Sequence, residues 1–311
     1  MDELAAALAA ALGAQQVTDL TRLSGGASRE TFRFVADGRP LILQRQRSGD
    51  TRDMGTEAEV VRAAHAAGVP TAELVASSAT PSDIGSAYMV LSAVEGETIA
   101  RKILRDDEFA TARAVLPGQL GRALAQLHTI DPATIPGLTA TDQVQQYRQT
   151  LDLMGEPHPT FELVFKWLEE HRPPPSRTTL VHGDFRLGNV MVGADGLRAV
   201  LDWELAHGGD PMEDLGWLCV KAWRFGSPKP VAGVGDYHQF IDAYREASGL
   251  DVDPEVVRWW EVLGTLKWGI MCIGQANAHV SGVARSHELA AIGRRVCENE
   301  HDLFLALEGR W

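Results

Sequence analysis

The run Val181-His182-Gly183-Asp184-Phe185-Arg186-Leu187-Gly188-Asn189, followed by Val200-Leu201-Asp202-Trp203-Glu204, decides how the rest of this chain is read. Moving a γ-phosphoryl group requires a carboxylate that orients and deprotonates the acceptor hydroxyl, and oxygen ligands that hold Mg²⁺ against the phosphates of ATP. Asp184, Asn189 and Asp202 supply that set. The short loop from Asp184 to Asn189 lets carboxylate and amide face one cavity, and Asp202 ends an apolar run, Leu197 to Leu201, that reads as a neighbouring strand. Leu180 and Val181 with Val190 to Val192, then Ala199 to Leu201, form hairpin-like segments, with a turn at Gly193-Ala194-Asp195-Gly196. A single Asp or Asn beside glycine is most often only a turn former. Four fixed positions in His-Gly-Asp-x-x-x-x-Asn, joined to a downstream strand-end Asp, point instead to chemistry.

The roles follow from residue type. Asp184 is expected to be the catalytic carboxylate, Asn189 and Asp202 the metal ligands, and Arg186, two residues after the base, a cation near the charge on the transferring group. His182 reads as a hydrogen-bonding brace for the loop, because its neighbours already provide the base.

These motifs resemble the catalytic loop of the aminoglycoside phosphotransferase and choline kinase-like superfamily, in which His-Gly-Asp and Asp-Trp-Glu stand where protein kinases carry His-Arg-Asp and Asp-Phe-Gly. With Gly209-Asp210-Pro211 and Asp214-Leu215-Gly216-Trp217-Leu218-Cys219, the wording is similar to the kinase-like N-terminal domain of the acyl-CoA dehydrogenase 10 and 11 proteins. The resemblance runs from Leu23 to the final helix. It implies an α+β, bilobal, protein-kinase-like fold: a small antiparallel-sheet N-lobe with one main helix, residues 1–94, and a large, mostly helical C-lobe, residues 95–311. The N-lobe would bind nucleotide, and the C-lobe would carry catalysis and the acceptor.

Local patterns agree with that order. Phe32 and Phe34 alternate against Leu41 and Leu43 across Asp37-Gly38, a hairpin signal. Just ahead lies Ser24-Gly25-Gly26-Ala27-Ser28, where Gly25, Gly26 and Ser28 are candidates to close backbone amides on phosphate oxygens. A helix is predicted from about Met54 to Ala67. It carries Glu57 on its apolar face beside Val60, Val61 and Ala64, and a carboxylate there asks for a buried basic partner. In the family pattern that partner follows a Leu-x-Leu strand, but this chain has Gln44 there and Arg45 one residue later. Alternation sends the two to opposite faces. Either Gln44 contacts phosphate without charge, or the strand bulges so that Arg45 does the work; the need for positive charge favours Arg45. Tyr88 to Leu91 reads as a strand leading into Ser92-Ala93-Val94-Glu95-Gly96, which resembles the hinge that meets the adenine edge, with Ser92 and Val94 as the positions facing it.

Further on, Leu116 to His128 reads as a core helix, and Asp210-Pro211-Met212-Glu213 has the form of a capping box that makes Asp210 structural. Seven of eight tryptophans lie from Trp203 onward, and core packing explains most of them better than an aromatic pocket.

Composition narrows the classes. A net charge of -13 without any basic run argues against nucleic acid. Cys219, Cys272 and Cys297 are too few and too scattered for a disulfide framework or a zinc site. Leu4, Leu8 and Leu12 share a helical face behind acids, unlike a signal sequence, and no apolar run approaches membrane-spanning length. The expectation is a cytoplasmic, ATP- and Mg²⁺-dependent phosphotransferase acting on a small-molecule hydroxyl, with no nucleic-acid or membrane partner. The acceptor reading is a hydroxyacyl compound, with Lys221, Arg224 and Lys229 as candidate members of a basic rim for a CoA ester, although a solvated loop accounts for them too. Two alternatives stand beside it: an antibiotic O-phosphotransferase, and a nucleotide-binding pseudokinase or scaffold suggested by Gln44.

Overall fold

The hairpin at Asp37-Gly38 sets the register of everything around it in the computed structural model, which describes residues 2–23, 29–47, 53–81 and 84–310. Asp37 and Gly38 take φ values of 48° and 82°, the left-handed backbone conformation by which a two-residue turn matches the right-handed twist of its strands. Pairing of β2 (Arg29–Ala36) with β3 (Arg39–Gln46) therefore runs without a slip from Ala36↔Arg39 through Phe32↔Leu43 and Thr31↔Gln44 to Arg29↔Gln46. With β1 (Val17–Arg22), β4 (Leu74–Ser78) and β5 (Tyr88–Ser92) these strands form one antiparallel sheet in the order β1-β2-β3-β5-β4.

The two faces of the sheet are used differently. Phe32, Phe34, Leu41 and Leu43 point to the side covered by α1 (Asp2–Leu12), where Leu8 is fully buried. The opposite face carries Gln44 and its β5 partner Met89, and there Met54 and Ala58 of α2 (Met54–Ala66) pack on Met89. The Asp53 side chain caps α2 by accepting from the N–H groups of Gly55 and Thr56.

After Ser92 the chain turns helical, through α3 (Ala100–Arg105), α4 (Ala110–Leu127), α5 (Gln143–Met154) and α6 (Pro159–Glu170). Leu116, Leu120 and Leu124 of α4 recur at helical spacing and enter one core with Phe240 and Tyr244. Four short strands interrupt the helices: β6 (Thr179–Val181), β7 (Val190–Gly193), β8 (Gly196–Val200) and β9 (His207–Gly209). β7 and β8 form the expected hairpin, but β6 pairs with β9 instead of β7. Bridges from Glu97 to Val192 and from Thr71 to Val200 dock that hairpin beside the five-stranded sheet, which creates a cleft between them. The rest is helical: α7 (Met212–Cys219), α8 (Tyr237–Ser248), α9 (Pro254–Val280), α10 (His287–Gly293) and α11 (Val296–Leu307). The α+β, bilobal arrangement is thus the one read from the motifs. Among the described residues no helix is long and apolar enough to cross a membrane.

Candidate active site

Asp184 leaves β6 through Gly183, whose φ is 78°; a side chain at Gly183 would collide with the Leu205 carbonyl, so the turn needs glycine. Three donors fix the Asp184 carboxylate. Arg186 Nε and Trp217 Nε1 donate to Oδ1 at 3.0 and 2.8 Å, and Asn189 Nδ2 donates to Oδ2 at 2.5 Å. The Arg186 guanidinium also lies 4.7 Å from the centre of the Trp223 ring, which steadies it by a cation–π contact. His182 is fully buried and, with burial holding its pKa down, neutral. Its Nδ1 accepts from Asp184 N–H at 3.2 Å, so Nε2–H donates to Leu201 O at 3.0 Å, tying the loop to the strand end before Asp202.

Asn189 and Asp202 both line a cleft of about 490 Å³ under the sheet, as do Glu57, Ser92 and Val94. Gly25, Gly26 and Ser28 lie outside the described residues. Arg45 is not brought to the cleft. No bulge occurs in β3, so Arg45 faces away from Gln44; it lies directly opposite Glu30 and pairs with it at 2.7 Å. Among the described residues, Arg29 is a cation that meets Glu57. Its guanidinium takes the Glu57 carboxylate in a two-pronged pair, with Nη1 to Oε1 at 2.5 Å and Nη2 to Oε2, and both residues are under 10% exposed. Nη1 also donates to Gln44 Oε1 at 3.2 Å, and Nη2 lies 3.4 Å from Glu204 Oε2.

The donor set suits a hard divalent cation. Asp202 adopts φ 64°, a left-handed conformation that costs a non-glycine residue energy and is held by its surroundings. Packed protein around its carboxyl, then the nearby Glu204 and Asp184, push its pKa up to about 7 against the pull of Arg29, although one face opens to the cleft. A bound cation would relieve that excess of negative charge. Because the Asn189 nitrogen is engaged with Asp184, the amide oxygen is the atom available to such an ion. Among the described residues no three Asp, Glu, His or Cys side chains form a cage.

Beneath the loop lies a buried polar layer. Asp214 accepts from the N–H groups of His182 and Gly183 at 2.8 and 3.0 Å and from His128 Nε2 at 3.2 Å. Burial opposes its charge, but these partners hold its pKa below the usual carboxylate range. Lys267 of α9 donates through Nζ to Gly183 O at 2.8 Å and to Glu213 Oε1 at 3.2 Å, and lies over the Trp217 ring. Glu213 in turn meets His207 Nε2 at 3.0 Å. Glu213 is therefore no capping-box member: its side chain points into this layer, and the Met212 N–H is capped by Asp210 Oδ1 alone. Lys221, Arg224 and Lys229 do not form a rim. Lys221 pairs with Asp302, Arg224 is buried against Glu261 and the Cys219 carbonyl, and Lys229 donates to Val234 O. The tryptophans do pack, as Trp217, Trp223 and Trp268 share one cluster. Trp217 also turns its N–H onto Asp184, a role that packing arguments missed.

A family model described as the phosphotransferase enzyme family matches residues 19–260. Among curated proteins, the chain is 29% identical over 317 residues to acyl-CoA dehydrogenase family member 11 of Gallus gallus, covering 90% of this chain and 40% of that protein. It is 29% identical over 233 residues to family member 10 of Mus musculus, covering 68% and 21%. The chain thus spans less than half the length of these curated relatives. In fold it is similar to a protein of Ralstonia eutropha assigned as an aminoglycoside phosphotransferase, with TM-score 0.76, 23% identity and 98% of each chain covered. It is also similar to a thermostable mutant of aminoglycoside phosphotransferase APH(4)-Ia solved with AMP-PNP and hygromycin B, with TM-score 0.66, 17% identity and coverage of 97% and 98%. Since the matched residues take in the sheet, the cleft and the loop that carries Asp184, Asn189 and Asp202, the chain belongs to the phosphotransferase enzyme family.

Proposed function

We propose that this chain moves the γ-phosphoryl group of ATP, in the presence of Mg²⁺, to a hydroxyl of a small molecule, with hydroxyacyl compounds such as CoA esters as the acceptor class. The observation that carries the reading is that Asn189 and Asp202 line one cleft, while Asp184 is hydrogen-bonded to Asn189 and close enough to Asp202 to act on its charge. Residues 1–94 then hold the nucleotide, with Ser92 and Val94 along the adenine side, and residues 95–311 hold the acceptor. Asp184, fixed by three donors, orients the acceptor hydroxyl and takes its proton as its oxygen bonds to the γ-phosphorus and the bond to the bridging oxygen breaks, releasing ADP. Arg186 sets a positive charge beside that carboxylate, where charge builds on the transferring oxygens. Asn189 and Asp202 would hold the Mg²⁺, which when bound neutralises charge on the phosphates. The AMP-PNP bound to the similar APH(4)-Ia supports nucleotide in the cleft.

For the acceptor, the side chains packed around Asp184 are Arg186, Trp217 and Trp223, with Lys267 beneath. Trp217, Trp223 and Lys267 are buried, so of these only Arg186 is open to an acceptor. The acyl-CoA dehydrogenase family names of the relatives support the hydroxyacyl class. A scaffold that merely held nucleotide would have no use for a carboxylate fastened by three donors. The test is ADP release from Mg·ATP with hydroxyacyl-CoA esters, sugars and aminoglycosides as acceptors. Turnover is expected with the first group, and Asp184→Asn should lower it by about 10²–10⁴-fold while Mg·ADP affinity stays the same. Turnover with aminoglycosides alone would refute the acceptor class, and full turnover in Asp184→Asn would remove that residue from the chemistry.

A further inference from the structure

We propose that the cation gripping the nucleotide's phosphates has moved in this chain from β3 to the first residue of β2, and that it is Arg29. The inference rests on the nucleotide reading above and concerns which residue serves it. Gln44 occupies the place after Leu41-Ile42-Leu43 where a basic side chain is expected, and it carries no charge. Its direct partner across the hairpin is Thr31. Residues two apart on a strand share a face, so Arg29 is the diagonal neighbour of Gln44, and an arginine is long enough to cover that gap. The result is a guanidinium at the site a β3 side chain would have reached. It is buried, paired with both oxygens of Glu57, and lines the same cleft as Asn189 and Asp202.

Gln44 has a consistent use in this arrangement. Its amide oxygen accepts from Arg29 Nη1, so it orients the guanidinium across the sheet instead of competing for phosphate. The surrounding charge makes a cation necessary: Glu57, Asp202 and Glu204 are all near Arg29, and a polyphosphate would add further negative charge to that set. Of the other arginines of the hairpin, Arg33 also borders the cleft, whereas Arg39 is drawn to Glu73. Arg45 pairs with Glu30 and lies over the Phe32 ring on the far face. Arg33 is half exposed at the cleft rim and pairs with Glu95 at 2.6 Å.

The experiment titrates Mg·ADP by calorimetry into the wild type, Arg29→Met, Arg29→Met with Gln44→Lys, and Arg45→Met, and records thermal unfolding of each without nucleotide. Losing a charge-assisted grip on phosphate should weaken Mg·ADP binding by about 10- to 100-fold in Arg29→Met. Returning the charge to β3 through Gln44→Lys should recover a large part of that loss, and Arg45→Met should bind within about twofold of wild type. Wild-type affinity in Arg29→Met, or an equal loss in Arg45→Met, overturns the assignment. Should Arg29→Met fail to fold because Glu57 is stranded, Arg29→Lys replaces it: it keeps the charge but loses the fork, and affinity should fall several-fold, with unchanged affinity overturning the proposal. A wild type that binds no nucleotide would instead defeat the phosphotransferase reading itself.

Discussion

Lys267 offers the sharpest check on how the catalytic loop is held. Its Nζ is buried and bridges Gly183 O and Glu213 Oε1. Burial works against its charge, but Tyr147, Glu213 and Asp184 around it more than offset that and keep the ammonium charged. Lys267→Met preserves most of the stem's volume, so the change removes charge and hydrogen bonds with little loss of packing. Breaking one side of a buried ion pair costs about 3–5 kcal/mol, and the lower end applies here because His207 still faces Glu213. In a chain of this length ~3 kcal/mol lowers Tm by roughly 4–6 °C. Removing both charges in Lys267→Met with Glu213→Gln should return much of that stability, since neither charge is then stranded. Turnover should behave otherwise. Gly183 directly precedes Asp184, and freeing its carbonyl loosens the geometry of the carboxylate, so kcat should fall by about 10-fold or more in both variants while the Kd for Mg·ADP is unchanged. Differential scanning fluorimetry and steady-state kinetics measure the two effects. A double variant with wild-type stability and wild-type kcat would show that Lys267 does not position the loop.

Two further outcomes follow from the charged residues around the cleft and beneath the loop. In the unfolded chain Asp202 loses its proton near 3.8, whereas in the folded protein it holds it up to about 7, so its ionisation lowers stability progressively as pH rises through that window. Cleft water screens the effect, leaving about 1–2 kcal/mol of the ~4 kcal/mol that the full displacement would give; Asp202→Asn should therefore unfold at a higher temperature than wild type at pH 7.5 without Mg²⁺, yet transfer no phosphate, and a lower Tm would contradict the electrostatics. Asp214 has the opposite sign: its depressed folded pKa contributes stability that is complete above the ordinary carboxylate value and is lost as pH falls through the folded one. Asp214→Asn should accordingly be less stable at pH 6 and show a shallower loss on acidification from pH 5 to 2, followed by circular dichroism, and equally steep curves would exclude Asp214 as the acid-sensitive contact.

The fold was legible because its signals are local and additive. The hairpin turn, the apolar stripe of α2, the loop spacing of Asp184 and Asn189, and the strand-end Asp202 each depend on neighbours within a dozen residues. The polar layer beneath the loop was not legible, because Lys267 reaches Gly183 across 84 residues and Trp217 reaches Asp184 across 33, and periodicity says only that such residues are buried. Reading Glu213 as a capping partner failed for the same reason: a carboxylate with a short local option was drawn to a distant buried cation. Arg29 is a different case, since its position could have been counted. A two-residue turn at Asp37-Gly38 makes paired positions sum to a constant, which sets Arg45 opposite Glu30 and puts Arg29 on the face of Gln44. Looking for the missing cation only on β3, or on a bulged β3, assumed that a functional charge stays on its strand. The chemistry requires only that a guanidinium arrive beside Glu57, and on an antiparallel pair two strands can deliver it to that point; the register, more than the identity of any one position, determines which strand does.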